Sequence, residues 1–188
     1  GDDEARDVVI LSNGNILVGG TVKTGVDLDF ALAMLDPEGE LITSFGDLGL
    51  VTCDFNNTDD RISRIAVYAD RIYGVGSTIE SDLEAIAIAA FTLNGIPENG
   101  FSQDGKRFHH ISPGGDVATS LVIQPDLKIV VAGYTGFSFE KDFCIVRFNP
   151  DGTLDNSFSG DGIFVPDVGP THDRAFGVAL QSDQKIIV

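Results

Sequence analysis

Three aspartates lie close together in one loop of this chain, and carboxylates at such spacing could bind a hard cation. Asp151, Asp155 and Asp161 offer oxygen ligands of the kind that calcium uses. The loop is not an EF-hand, because its glycine stands in another place and no bidentate glutamate closes it. Aspartates also form turns and cap strand ends. The sequence favours this turn-forming role, predicts no dedicated cofactor, and leaves calcium as an alternative.

A second set of residues is suited to recognition rather than to catalysis. Tyr134, Phe137 and Phe139 belong to a segment between two apolar strands, and such loops commonly carry binding specificity. We expect this loop to share one end of the fold with His172, so that the four residues form a ligand-binding surface. Exposed aromatic side chains suit contact with protein or carbohydrate. The alternative is that Phe137 and Phe139 pack into their own loop.

The remaining residues with reactive side chains suggest no catalytic centre. His109 and His110 are adjacent, and neighbours on a strand point to opposite faces, so they cannot bind one ion without a bulge. We expect them to be surface histidines. Cys144 aligns with alanines in the other repeats, which predicts a small buried side chain. The sequence also lacks the Gly-x-Ser-x-Gly, His-Glu-x-x-His and phosphate-loop motifs. We predict that the chain is not an enzyme.

Charge and hydropathy exclude two classes of partner. Twelve Lys and Arg residues against 29 Asp and Glu give a net charge of −17, which would repel nucleic acid and anionic lipid. The longest apolar run, residues 85–91, is far shorter than the roughly 18–20 residues of a membrane helix. We predict neither a nucleic-acid partner nor a transmembrane segment.

The elements that position these residues come from an internal repeat. Gly20, Gly76 and Gly133 lie 56 and 57 residues apart. Three other series keep the same intervals: Phe45, Phe101, Phe158; Gly39, Gly95, Gly152; and Gly49, Gly105, Gly162. A period of about 57 residues fits one four-stranded propeller blade. We predict an all-β propeller segment over residues 1–188, with antiparallel repeats at 3–59, 60–115 and 116–172 and a partial one at 173–188.

The strand patterns support this fold. The third strand of each repeat is apolar on both faces, which predicts burial between two neighbouring sheets. In the first repeat, small Ala31 and Ala33 alternate with large Phe30 and Leu32, so successive blades can pack closely. First strands are expected at Val8–Leu11, Ile65–Tyr68, Leu121–Gln124 and Val178–Gln181. Outer strands are expected at Leu50–Phe55, Lys106–Ile111 and Ile163–Val168.

The third repeat resembles a known family of repeats. Residues 142–155, DFCIVRFNPDGTLD, are followed by Ser157-Phe158 and Asp161-Gly162 and preceded by Gln124, Lys128-Ile129 and Gly133. This pattern resembles the delta-60 repeat. The second repeat departs from it at Ala85, Ala90 and Gly95-Ile96-Pro97. The resemblance implies a β-propeller in a large secreted or surface bacterial protein, and it implies no catalytic residues.

These observations lead to one functional hypothesis and two alternatives. We expect a non-catalytic extracellular or cell-surface module that acts as a structural or protein-interaction scaffold. The alternatives are a calcium-dependent glycan-binding module and a propeller lyase or hydrolase with its site in the axial pocket. The expected partners are other blades of the same or another chain, and a protein or glycan. Because the fourth repeat has only its first strand and part of its second, we also expect a larger protein or edge-to-edge association.

Overall fold

The computed structural model describes residues 3–137, 139–166, 168–169 and 172–188, and its regular secondary structure there is entirely β. Three four-stranded antiparallel sheets and a two-stranded hairpin follow one another along the chain. The described residues contain no helix long and apolar enough to span a bilayer. The predicted fold class is confirmed: these are blades of an incomplete β-propeller.

The strands run in simple up-and-down order within each blade. Blade 1 contains β1 (Glu4–Ile10), β2 (Ile16–Thr24), β3 (Asp27–Leu35) and β4 (Leu50–Cys53). Blade 2 contains β5 (Asp60–Tyr68), β6 (Arg71–Glu80), β7 (Leu83–Thr92) and β8 (Lys106–His109). Blade 3 contains β9 (Val117–Ile123), β10 (Ile129–Phe137), β11 (Glu140–Phe148) and β12 (Ile163–Phe164). The final hairpin pairs β13 (Ala179–Leu180) with β14 (Ile186–Ile187).

The innermost strand of each complete blade contains a bulge, and one glycine of each repeat faces it. The register shifts between Ile62 and Arg64 in blade 2, and similar shifts occur in blades 1 and 3. A Cβ placed on Gly76 would lie 1.9 Å from the carbonyl oxygen of Arg61, and its φ is not in the left-handed region. The repeated glycine is therefore required by close backbone approach.

The blades pack large side chains against small ones, as the alternation in the third strands predicts. Phe30 and Leu32 of β3 share a buried core with Ala87 and Ala89 of β7. A second core joins Ile86 and Ile88 of β7 to Cys144 and Val146 of β11. β7, which lies between two complete blades, is thus buried on both faces from Ala85 to Phe91. Burial of each large aliphatic side chain contributes about 1.5–3 kcal/mol.

The outer strands are shorter than the sequence pattern predicts. β4 ends at Cys53 rather than Phe55, β8 ends at His109 rather than Ile111, and β12 ends at Phe164. The reason is competition for backbone groups: the Phe55 amide donates to Asp60 Oδ2 at 2.7 Å, and the Ile111 amide donates to Asp116 Oδ2 at 2.8 Å. These bonds turn the chain toward the next blade. Asp167, in the last predicted outer strand, lies outside the described residues.

The first strands of the three complete blades begin earlier than predicted, whereas β13 covers only Ala179–Leu180 of the predicted Val178–Gln181. β1 starts at Glu4 and β5 starts at Asp60, before the plain apolar residues that marked them in the sequence. The added residues include the bulges and several charged side chains. This earlier start changes which side chains face the propeller axis.

Candidate functional site

One end of the molecule gathers the loops that join the second and third strands of each blade. We use the name hairpin end for the tips of these loops, which are residues 24–27, 80–83 and 136–140. Ser138 is left out of this definition because it lies outside the described residues. Connections between blades hold these hairpins in place. Asp59 accepts a hydrogen bond from the Leu28 amide at 3.1 Å, and Thr58 Oγ1 donates to the Ile79 carbonyl at 2.6 Å. The same connection therefore contacts the hairpins of blades 1 and 2.

The hairpin end exposes apolar side chains from all three complete blades. Val26 is 86% exposed in blade 1, and Leu83 is 39% exposed in blade 2. In blade 3, Phe137 is 57% and Phe139 is 89% exposed. Phe137 and Phe139, two of the four predicted ligand-binding residues, are therefore accessible, and Phe139 does not pack into its own loop.

Tyr134 and His172, the other two predicted residues, lie near the base of the same hairpin. Tyr134 is half-buried, with Lys141 Nζ 5.5 Å and Arg174 Cζ 4.7 Å from its ring centroid. Burial raises the pKa of its hydroxyl, and the nearby Glu84 carboxylate adds to the rise. His172 is exposed, and the amide of the following residue, Asp173, donates to the Lys141 carbonyl. The structure brings all four residues to one region of blade 3.

Lys141 fixes this hairpin and was not identified from the sequence. Its side chain is buried, and Nζ donates to the Gly115 carbonyl at 2.9 Å and the Gly136 carbonyl at 2.5 Å. The equivalent positions carry Leu28 and Glu84, so a lysine unique to one repeat was the available signal. The exposed aromatic tip therefore has a rigid base.

The acidic loop of the sequence prediction does not form a shared cation site. Asp155 is buried and accepts hydrogen bonds from Arg147 Nε at 2.7 Å and Lys128 Nζ at 2.9 Å. Burial alone would raise its pKa, but hydrogen bonds from Ser157, Lys128 and Arg147 outweigh that effect and hold the pKa well below its usual range. Asp155 is therefore a charge-paired structural anchor.

The other two members of that loop cap turns. Asp151 accepts hydrogen bonds from the Thr153 amide and hydroxyl, at 2.9 and 2.6 Å, and these bonds lower its pKa. Asp161 accepts from the Ile163 amide at 2.9 Å. Among the described residues, the group of acids close enough to hold one ion does not include any of the three.

The acids that do converge were not identified from the sequence. They are Asp29 in β3, Asp54 after β4 and Asp60 at the start of β5, and their ligand atoms lie within 4.8 Å of one another. The pKa of Asp60 is raised to about 6: burial is the main cause, the Thr78 hydroxyl and the Phe55 amide oppose the rise, and the Asp54 and Asp29 carboxylates add to it. Burial and then Asp54 also raise the pKa of Asp29. The sequence signal was weak because these acids are distributed over two blades.

The two adjacent histidines and the two cysteines have separate surroundings and do not form a common reactive site among the described residues. His109 is half-buried rather than at the surface, and burial followed by Arg107 lowers its pKa. His110 Nε2 lies 3.3 Å from Glu80 and its Nδ1 3.8 Å from Asp116. Cys53 and Cys144 are free, and burial raises the pKa of each thiol to about 12. Neither thiol would ionise appreciably near neutral pH.

An axial cleft of about 510 Å³ opens between the first strands. It is lined by arginine side chains that the sequence pattern did not predict there. Arg6, Arg61 and Arg64 contribute to its lining. They form ion pairs with Glu4, Asp59 and Asp7, respectively. The expected first strands, Val8–Leu11 and Ile65–Tyr68, contain none of these arginines. Because β1 and β5 start earlier and contain bulges, the arginines line the cleft instead.

Comparison with known families agrees with the architecture. A family model described as a domain of unknown function (DUF5122) beta-propeller matches residues 124–158. The match covers β10 and β11 together with Lys128, Arg147 and Asp155, so it follows the structural ion-pair network of blade 3. It supports a propeller-type repeat family without singling out the delta-60 repeat. No curated protein matches the chain.

Proposed function

We propose that this propeller segment is a non-catalytic interaction module of the cell surface or extracellular space that binds a protein partner through its hairpin end. The observation that supports the proposal is the exposure of apolar side chains at the tips of the hairpins, of which Phe139 is the most exposed at 89%. Isolated exposed apolar residues are common, but here three successive blades present them at the same end. Aromatic residues on a rigid support are typical anchors of protein interfaces.

The charge around these tips defines the partner further. Asp27, Glu80, Asp82 and Glu140 flank the apolar side chains. An apolar centre surrounded by carboxylates complements a protein surface with an apolar pocket and a basic rim. The resemblance of the third repeat to repeats of secreted and surface proteins supports the extracellular setting.

A crosslinking experiment tests the proposal directly. A photoreactive residue at position 139 should capture a protein at the surface of intact source cells, whereas the same group at position 96 should not. Ile96 is a matched control because it is 59% exposed and lies in the turn after β7, away from the hairpin end. Surface labelling of the native protein would test its location independently.

The captured protein then allows a quantitative test. Phe137→Ser with Phe139→Ser should weaken its binding at least tenfold, because each aromatic anchor typically contributes more than about 1 kcal/mol. Ile96→Ser should leave the affinity unchanged. Equal loss in both variants, or no loss in either, would reject the hairpin end as the binding surface.

A second candidate function rests on the axial cleft. Arg6, Arg61 and Arg64 could exchange their surface ion pairs for a carboxylate of an acidic glycan, since guanidinium groups bind carboxylates in bidentate fashion. Calorimetric titration with an oligogalacturonate should then give saturable binding that Arg61→Gln weakens. Absence of binding, or unchanged binding in the variant, would remove this candidate.

A further inference from the structure

We propose that Asp29, Asp54 and Asp60 form a calcium site at the junction of blades 1 and 2. Asp29 and Asp60 are buried and Asp54 is half-buried. Their ligand atoms all lie within 4.8 Å of one another, so one ion can contact a carboxylate oxygen from each. The site would link a strand of blade 1, the connection between the blades and the first strand of blade 2.

An unpartnered oxygen at the centre of the cluster points to a ligand. Asp60 is 0% exposed, and its Oδ2 accepts the Phe55 amide hydrogen bond at 2.7 Å. Its Oδ1 is buried without a hydrogen-bond partner among the described residues. A buried carboxylate oxygen without a donor is costly, and a bound cation removes that cost.

Thr78 provides a second unpartnered group beside the first. Asp60 and Thr78 are directly paired across β5 and β6, so their side chains lie on the same face of the sheet. Thr78 is 0% exposed; its hydroxyl lies close enough to Asp60 to lower the pKa of that carboxyl, but Oγ1 has no partner in hydrogen-bonding geometry among the described residues. The Thr78 hydroxyl is therefore available as a neutral oxygen ligand beside the three carboxylates.

The junction between blades 2 and 3 shows how the chain satisfies the same position without an ion. The residues equivalent to Asp29, Asp54 and Asp60 are Ala85, His110 and Asp116. Asp116 accepts hydrogen bonds from four donors: the Ile111 amide, the Ser112 amide, the Ser112 hydroxyl and the Thr135 hydroxyl. Thr135 is the counterpart of Thr78, so the second junction differs from the first in the two Ser112 donors and in having Ala85 and His110 in place of two carboxylates.

The charged groups around the first junction do not supply a partner for Oδ1 of Asp60. Lys106 Nζ donates to the main-chain carbonyl of Asp54 and lies 5.9 Å from the Phe55 ring centroid. Asp59, which adds negative charge nearby, is paired with Arg61 at 2.8 Å. The ammonium group thus lies beside the cluster while Oδ1 of Asp60 stays unpartnered.

The ligand set favours calcium over other divalent cations. All of the donors are oxygen atoms, which suits calcium and magnesium rather than softer metals. The site is largely buried, and magnesium gives up its water shell reluctantly, whereas calcium accepts several protein oxygens in flexible geometry. Calcium is therefore the cation that this junction should select.

Thermal unfolding of the full 188-residue chain tests the proposal after removal of metal with EDTA. Calcium chloride at 100 µM should raise the Tm of the wild type by several degrees, and magnesium chloride at 100 µM should have little effect. Asp151→Asn is the matched control, because it removes one carboxylate charge at an exposed turn. It should keep the calcium response.

Asp54→Asn and Asp60→Asn should require at least tenfold more calcium for the same shift. The order of stability between the wild type and each variant should also reverse between EDTA and calcium. In EDTA each variant should unfold at the same temperature as the wild type or higher, because repulsion between carboxylates is reduced. In calcium each should unfold at a lower temperature. A carboxylate with a purely structural role would give the same order in both conditions.

Three results would overturn the proposal: no calcium shift in the wild type, an equal shift with magnesium, or an unchanged calcium response in Asp54→Asn. Asp54 is only half-buried, so this variant keeps the test valid if Asp60→Asn does not fold. Calorimetric titration of calcium into the same proteins should give the same ranking of affinities.

Discussion

Replacing Gly76 by alanine should destabilise blade 2 severely, although it adds one methyl group. The new Cβ would lie 1.9 Å from Arg61 O, 2.8 Å from Arg61 C and 2.9 Å from Ile62 Cα. Carbon and oxygen atoms that are not bonded normally approach to about 3.3–3.6 Å, so the backbone must separate by more than about 1 Å. No rotamer change relieves the contact, because all three atoms belong to the main chain.

The expected loss is about 3 kcal/mol if two β5–β6 hydrogen bonds are disrupted. Overpacking costs about 2 kcal/mol, the middle of its usual range, and each disrupted hydrogen bond adds about 1 kcal/mol. The lower entropy of unfolded alanine returns only about 0.5–1 kcal/mol. For a chain of this size, about 2–4 °C of Tm per kcal/mol gives a fall of roughly 6–12 °C.

Urea and thermal unfolding followed by circular dichroism measure this loss. Gly177→Ala is the control, because no other atom lies within 4 Å of its added Cβ and its φ is outside the left-handed region. It should stay within about 0.5 kcal/mol of the wild type. If Gly76→Ala also stays within about 1 kcal/mol, the close approach at the bulge is not what requires glycine there.

Three further predictions concern buried charge. Asp155→Asn should lower the free energy of unfolding by about 1–3 kcal/mol, because Arg147 and Lys128 lose their shared carboxylate. Since folding depresses the pKa of Asp155, its contribution to stability is present above the unfolded-state pKa and disappears as the pH falls through the folded-state value. Urea titrations from pH 6 to 3 should therefore show a shallower loss of stability in the variant than in the wild type. In EDTA, Asp60 should act oppositely: its pKa rises from 3.8 to about 6 on folding, so stability falls as pH increases across that interval, and Asp60→Asn should remove this slope. Lys141→Met should increase amide hydrogen exchange at residues 139–140 at least tenfold by mass spectrometry, because two carbonyls lose their donor; unchanged exchange would contradict its anchoring role.

Much of the fold is determined by the sequence alone, because the signals are local and recur. The alternation of Ala31 and Ala33 with Phe30 and Leu32 specifies which face accepts a neighbouring blade, and the structure confirms that large-on-small packing. The spacing of Gly20, Gly76 and Gly133 marks one backbone position in every repeat. The loop with Phe137 and Phe139 was also identifiable, since it interrupts two apolar strands.

The candidate sites depended on tertiary structure, because they arise from competition between distant groups. Asp155 resembled a cation ligand until Arg147 and Lys128 folded onto it, whereas Asp29 and Asp60 gained significance only when two blades met. The arginines of the axial cleft were hidden because a bulge shifts the register, and a two-residue period cannot predict where that shift occurs. A repeated pattern can specify strands and blade faces, but the packing of one blade on the next decides which carboxylates are neutralised and which are left without a partner.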